Sequence, residues 1–331
     1  TIRGMDALID LFASTQEALF EAVFQPMAFA SGLASRLEDV YDATGWLLIG
    51  LLQIAVMLAV IGPLQRWRPV EPIADNVAVR TDVFYTLMHR LGLFRLVLFF
   101  SVDPLMDELM GHLRTAGFGT LHLDDLWPGV TDGPIMSFVL YLVLFDFVNY
   151  WLHRAQHEWN WWWALHAVHH SQRQMTQWSD NRNHLLDDLL RAVVWVLVAQ
   201  LVGIAPSQFV AVLALTQLSE NFQHANLRVG FGKIGERLWV SPRFHRLHHA
   251  IGLGHESLNA KGETVLGGHN FGVLLPCWDM LFGTSNFDMT FEATGIRDQV
   301  TEGRDYGKGF IKQQILGIKR LLSALGLTSH T

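Results

Sequence analysis

The chain has 331 residues, 50% of them hydrophobic and only 17% charged, against about 25% charged in soluble domains. Its one cysteine, Cys277, excludes an intrachain disulfide framework and a cysteine-ligated zinc or iron–sulfur centre. A formal charge of -7, from 24 Lys+Arg against 31 Asp+Glu, leaves no basic face of the kind nucleic-acid binding needs.

Residues 1–43 are mixed and acidic and do not read as a secretory signal, which would start basic and then turn apolar. Residues 44–63 hold one interior polar side chain, Gln53, and are long enough to cross the hydrocarbon of a bilayer. A second span is expected at 83–101, interrupted by His89, Arg90 and Arg95, and a third at 134–152, with Asp146 and Asn149 near its end. Residues 185–222 are apolar over two stretches split by Gly203-Ile-Ala-Pro206, a pattern that ends one helix and starts another, so a helical hairpin is expected. The C-terminal stretch spaces Phe310, Ile311, Ile315, Ile318, Leu322 and Leu325 as one apolar helical face. That face suits either a membrane surface or the protein's own domain.

These elements predict an all-α integral membrane protein of about four to five transmembrane helices. The expected parts are an acidic, interfacial segment at 1–43, two spans and an outer loop at 44–133, a histidine-rich unit at 134–287, and a tail with an amphipathic helix at 288–331. Positive loops stay cytoplasmic. Arg66, Arg68 and Arg80 follow the first span, whereas 102–133 has Arg114 alone against six acids. The third span then delivers residue 153 to the cytoplasm, and the hairpin keeps all later residues there as a cytoplasmic helical cap.

Twelve of the sixteen histidines fall within 153–269. His153 and His157 are four apart and share a helical face. His166-x-x-His169-His170 follows, and His245-x-x-His248-His249 repeats that spacing about eighty residues later. Neutral imidazole is the commonest metal ligand, and all-nitrogen sites suit iron, copper, zinc or nickel. Eight histidines in three compact motifs imply two ions. His224 and His184 stand at the two ends of the hairpin, so both return to the face carrying the motifs. His224 is a further ligand candidate, while His184 is a ligand or a helix cap. His269, flanked by glycines, is a ligand or part of a turn. His255 and His330 read as surface residues. Asp146, Glu158, Asp180, Asp187 and Asp188 are the carboxylates near enough to orient a ligand ring, and Asp146, on the ligand helix, is the first choice. The set Trp151, Trp159, Trp161, Trp162 and Trp163 reads most simply as an interfacial belt, with the lining of a substrate channel as the alternative.

Asp146-x-x-x-Tyr-Trp-x-His153-Arg-x-x-His157, His166-x-x-His169-His170 and His245-x-x-His248-His249, followed by Asn270-Phe-Gly and Trp278-Asp-Met-Leu-Phe-Gly-Thr284, resemble the fatty-acid hydroxylase/sterol desaturase superfamily over roughly 134–287. The resemblance implies a membrane-embedded di-iron oxygenase using dioxygen, with the eight motif histidines as ligands and His224 as a ninth. It leaves the lipid open, as it does hydroxylation against desaturation. Fatty-acyl chains of polar lipids, amino-acid-containing lipids among them, sterol-like rings and carotenoids all fit.

Breaking an unactivated C–H bond needs an oxidant that side chains cannot supply, so the metal carries it. No haem, flavin or ferredoxin signature is present, so an external electron-transfer protein or reductase is an expected partner. Gly230-Phe-Gly-Lys-Ile-Gly235 matches a nucleotide-loop pattern, but no apolar strand leads into it. Two other classes compete. A histidine-rich metal transporter would line its spans with these residues, and a di-zinc lipid hydrolase would normally embed carboxylates among them.

Overall fold

Apolar sequence at helical spacing forms helix through most of the computed structural model, which describes residues 2–328; His330 lies outside them. Helix α1 (Ile2–Leu19) leads into α2, a rod running Ala34–Trp67 with a π-helical turn at Met57–Ile61. α2 contains the first expected span and exposes Leu51, Leu52, Leu58 and Val60. Apolar area left in water forfeits its transfer free energy, so this face belongs in lipid.

The second expected span is broken. Residues 83–101 straddle the junction of α3 (Asn76–Arg90) and α4 (Leu93–Thr115), which are bent by 50°. Gly92 turns the chain there with φ 80°, a conformation that a side chain makes costly. α5 (Pro134–Glu158) contains the third span and continues into the first histidine motif. After α6 (Asn160–His170), the hairpin forms from α7 (Leu185–Val202) and α8 (Pro206–Gln223), turning at Gly203. Among the described residues, α2 and α5 are long and apolar enough to cross a membrane, and α3–α4 make a third span if the bent pair counts as one. The hairpin arms fall short because α7 spends Asp187, Asp188 and Arg191 on its first two turns and α8 carries Gln217, Ser219, Glu220, Asn221 and Gln223 on its last two. The molecule is therefore a mostly helical membrane protein.

Beyond the hairpin lie the short helix α9 (Pro242–His248), an antiparallel ribbon of β1 (Glu256–Leu258) and β2 (Thr264–Leu266) with Ser257 opposite Val265, α10 (Cys277–Phe282) and α11 (Phe310–Ala324). One core ties the hairpin to α5: Tyr141 and Phe145 pack with Trp195, Val212 and Leu274, and Phe145 stacks on Trp195 at 4.8 Å. α11 packs on its own domain, against α6. Gln313 and Gly317 are buried there, Arg320 Nε donates to the Ala164 carbonyl (3.1 Å), and Ile311 and Ile315 stay exposed on the other side. α2 crosses the end of α3 at Gly50, where any Cβ would collide with the Arg90 carbonyl oxygen. That close crossing carries the Arg90 guanidinium inward, to donate to Asn221 Oδ1 at 2.8 Å.

Candidate metal centre

Four elements converge on one buried volume. The last two turns of α5 present His153 and His157, one turn apart, and α6 presents His166, His169 and His170. α8 ends at His224, and α9 with its cap residue supplies His245, His248 and His249. The ligand atoms of His153, His157, His166 and His170 all lie within 4.8 Å of one another, and so do those of His169, His224, His245 and His249. His170, His248 and His249 form a third set overlapping both. All nine rings are buried.

Ring orientation is set from behind. A ring whose Nδ1–H donates to an oxygen presents a bare Nε2 lone pair at its other end. His153 Nδ1 donates to the Phe271 carbonyl (2.9 Å), His248 Nδ1 to the His269 carbonyl (2.8 Å) and His224 Nδ1 to the Glu220 carbonyl (2.8 Å). His166 Nδ1 donates to the Asp187 carboxylate at 3.0 Å, and Asp187 also accepts from Gln156 and Trp162, each at 2.7 Å. The carboxylate that orients a ring is thus Asp187, while Asp180 stands 3.7 Å from His224 Nδ1.

Several nitrogens have no partner among the described residues. Both ring nitrogens of His157 and His170, and Nε2 of His166 and His248, are buried without one. In the second group Nε2 of His224 lies 3.1 Å from that of His169 and 3.0 Å from that of His245, and His245 Nε2 lies 3.2 Å from that of His249. Nitrogens around one ion at about 2.1 Å have separations of this size. Burial, then the neighbouring imidazoles, push His169, His170, His245 and His249 well below the usual histidine range, and burial pushes His248 down to about 3. The rings are therefore neutral, as ligation requires. Orphaned nitrogens, convergence and neutrality together fit metal.

Three expected site residues are placed elsewhere. His184 caps α7: its Nδ1 accepts from the Leu186 N–H at 3.1 Å, and its Nε2 donates to the Gln314 carbonyl at 3.0 Å. Both nitrogens are committed within the fold, and the ring lies in none of the histidine groups. The His269 side chain belongs to none of the histidine groups, and only its carbonyl serves the centre. Asp146 bonds no histidine. It accepts from Leu274 N (2.8 Å), Leu275 N (3.0 Å) and Trp278 Nε1 (3.0 Å), because the closing loop reaches it before any ring does. Asp279 grips the same loop through Phe271 N and Gly272 N. These two acids fix the strip whose carbonyls aim His153 and His248.

Two further assignments change. His255 is not on the surface: it is 2% exposed, stacks on Trp163 with centroids 5.2 Å apart, and lies 5.8 Å from His170. Trp162 is buried and donates to Asp187, which takes it out of the expected belt. Reasoning from residue types missed the carbonyls of Phe271, His269 and Glu220, since any residue type supplies one. The Asn270-Phe-Gly motif was the available signal. Asn270 adopts φ 62° and is tied to Phe244 and Asn286.

A cavity of about 230 Å³ adjoins the histidine-lined pocket. Trp46, Leu98, Phe209 and Leu213 line its outer part, and Asn149, Asp180, Asn183, Arg191 and Glu220 line both spaces.

Residues 138–284 match the family model described as fatty acid hydroxylase. The ornithine lipid hydroxylase OlsE of Rhizobium tropici is 31% identical over 183 residues, which are 54% of this chain and 50% of that protein. The alkylglycerol monooxygenase of Homo sapiens is 29% identical over 140 residues, 42% of this chain and 28% of that protein. Its Caenorhabditis elegans counterpart is 26% identical over 153 residues, 46% of this chain and 27% of that protein. The matched region thus spans half of the first relative and less than a third of the other two. No solved structure matches.

Proposed function

We propose, from the match of residues 138–284 to the fatty acid hydroxylase family, that the chain is a membrane-bound di-iron oxidoreductase that uses dioxygen to hydroxylate a C–H bond of a polar membrane lipid. The observation that carries this reading is the pair of four-histidine groups with His248 beside both. His153, His157, His166 and His170 would hold one iron and His169, His224, His245 and His249 the other. The bound irons would supply the reductive activation of dioxygen that side chains cannot perform. One oxygen atom enters the C–H bond, and the other leaves as water after taking two protons and two electrons. The electrons come from a separate carrier protein or reductase.

The chain's own residues hold and orient. Asp187 and the carbonyls of Phe271, His269 and Glu220 keep protons on Nδ1, so the rings stay neutral and aimed. The apolar cavity delivers a lipid alongside. The names of the relatives, an ornithine lipid hydroxylase and alkylglycerol monooxygenases, favour a polar lipid, amino-acid-containing lipids included. Residues 134–287 are the hydroxylase unit in this reading. The hairpin rests in the same slab as α2 and α5, and the histidine cap faces the cytoplasm, where the electron donor docks.

Mass spectrometry of lipid extracts from cells with and without the chain tests this. A lipid gaining one oxygen atom is expected, along with two irons per purified chain. A product lacking two hydrogens would mark a desaturase, and full activity with zinc and without dioxygen would sink the oxygenase reading.

A further inference from the structure

The cavity beside the histidines carries charges that metal binding does not use. Around its inner end most charged groups are committed. Arg95 pairs with Asp103 (3.0 Å), His89 with Asp188 (3.3 Å), and Arg90 with Asn221 and, at 3.5 Å, Asp180. Asp187 holds His166. Asp188 faces His89 without a hydrogen bond between them, and two groups have no partner among the described residues, Arg191 on α7 and Glu220 on α8, one from each arm of the hairpin. Both line the cavity and the histidine pocket. Both are half-buried. Neither side chain makes a hydrogen bond or ion pair with any described residue, so the two do not close on each other.

Withdrawing a guanidinium and a carboxylate from water without partners leaves each with an uncompensated desolvation cost. A purely structural pair would close that gap. Here the gap opens on the apolar slot formed by Trp46, Leu98, Phe209 and Leu213. A guanidinium and a carboxyl group from the two arms of the hairpin, both lining an apolar slot, are complementary to a zwitterion carrying a hydrocarbon chain, whose ammonium would hold the carboxyl group ionised.

Building on the lipid-hydroxylase reading, we propose that Arg191 and Glu220 clamp the headgroup of a zwitterionic lipid that enters polar end first. Arg191 takes the oxyanion of the head, for which its planar fork is suited. Glu220 takes the ammonium, and the hydrocarbon chain fills the slot. The C–H bonds next to the histidine centre then belong to the head or to the first carbons of the chain.

The test is binding by the purified full-length protein in an uncharged detergent, read from tryptophan fluorescence, since Trp46 and Trp195 line the slot. The probes share one chain length: N-dodecanoylornithine, dodecylphosphoethanolamine, N-dodecanoylglycine (anionic only) and dodecylglycerol (uncharged). At least one zwitterionic probe should bind roughly 10- to 100-fold more tightly than dodecylglycerol, the scale of charge-assisted hydrogen bonds. The better of the two tells a carboxylate head from a phosphate head. Arg191→Gln should erase the preference for N-dodecanoylglycine and reduce that for the zwitterions, and Arg191→Lys should restore part of both. Glu220→Gln should weaken the zwitterions and spare N-dodecanoylglycine. Equal affinity for all four probes, or uniform loss across them in both variants, overturns the clamp. If Arg191→Gln does not fold, the wild-type ranking and Glu220→Gln still decide. The two readings fail separately: probe ranking without any oxygenated lipid refutes the hydroxylase alone, and an oxygenated lipid without ranking refutes the clamp alone.

Discussion

The two four-histidine groups reach similar ends by different routes. His153, His157, His166 and His170 come from consecutive helices, α5 and α6, so two helical turns and one tight corner bring them together. In the other group, 55 residues separate His169 from His224 and 21 separate His224 from His245. That group exists only once the hairpin has closed and α9 has docked. Their support differs too. Two rings of the first group are aimed by outside acceptors, Asp187 and the Phe271 carbonyl. In the second, one ring is aimed, through the Glu220 carbonyl, and three short nitrogen–nitrogen contacts bind the set. A locally built group tolerates tertiary disturbance, whereas one assembled from distant segments depends on it and on the metal that relieves its crowding.

Removing His249 should break that comparison most completely, because its ring belongs to the second group and to the set it shares with His170 and His248. His249→Ala is expected to abolish lipid oxidation and to leave one iron per chain in elemental analysis, held by the local group. Two irons with normal turnover would remove His249 from the ligand set. Asp187→Asn is the converse probe. It withdraws the charge behind His166 while sparing the second group, and loss of such an orienting partner typically costs about 10- to 100-fold in metal affinity or activity. Chelator titration should show one iron leaving earlier than in the unmodified chain, and simultaneous release of both would contradict the separation.

The same difference explains what was legible in the sequence. Motif spacing exposed the local group, since residues three and four apart on a helix share a face whatever surrounds them. It also exposed α2, α5 and the turn at Gly203, where apolar runs and Gly/Pro punctuation dominate. Asp187 stood among five candidate carboxylates, and only tertiary packing chooses it. Asp146 was favoured for lying on the ligand helix, but it points to the loop at 274–278. His255 looked exposed because polar residues and glycines surround it in the chain, yet Trp163 covers it. The break at Gly92 fell within an expected span that His89, Arg90 and Arg95 already interrupt, where hydropathy does not distinguish one helix from two.

Asp146→Asn should act on both groups alike. An amide keeps one acceptor oxygen in place of the two that hold Leu274 N and Leu275 N. A buried N–H left unpaired costs about 1–3 kcal/mol. A lower thermal midpoint is expected with the two-iron stoichiometry intact, because the loop loosens while every ligand ring remains. Selective loss of one iron in this variant would show that Asp146 supports a single group after all.

The smallest effect belongs to His269, and it tests whether the centre reads side chains or backbone at this position. His248 is aimed by the His269 carbonyl at 2.8 Å, and His269→Ala leaves that carbonyl in place. Iron content should stay at two and kcat/KM should stay within about twofold, the range of a substitution without a structural consequence. The preceding residue supplies the contrast. Gly268 has φ 113°, and a Cβ there would collide with the Gly254 carbonyl. Gly268→Ala therefore adds one methyl group yet displaces the strip that carries the aiming carbonyl, and it should lower iron retention more than deleting the whole imidazole of His269 does. The reverse order would mean that the imidazole itself holds metal.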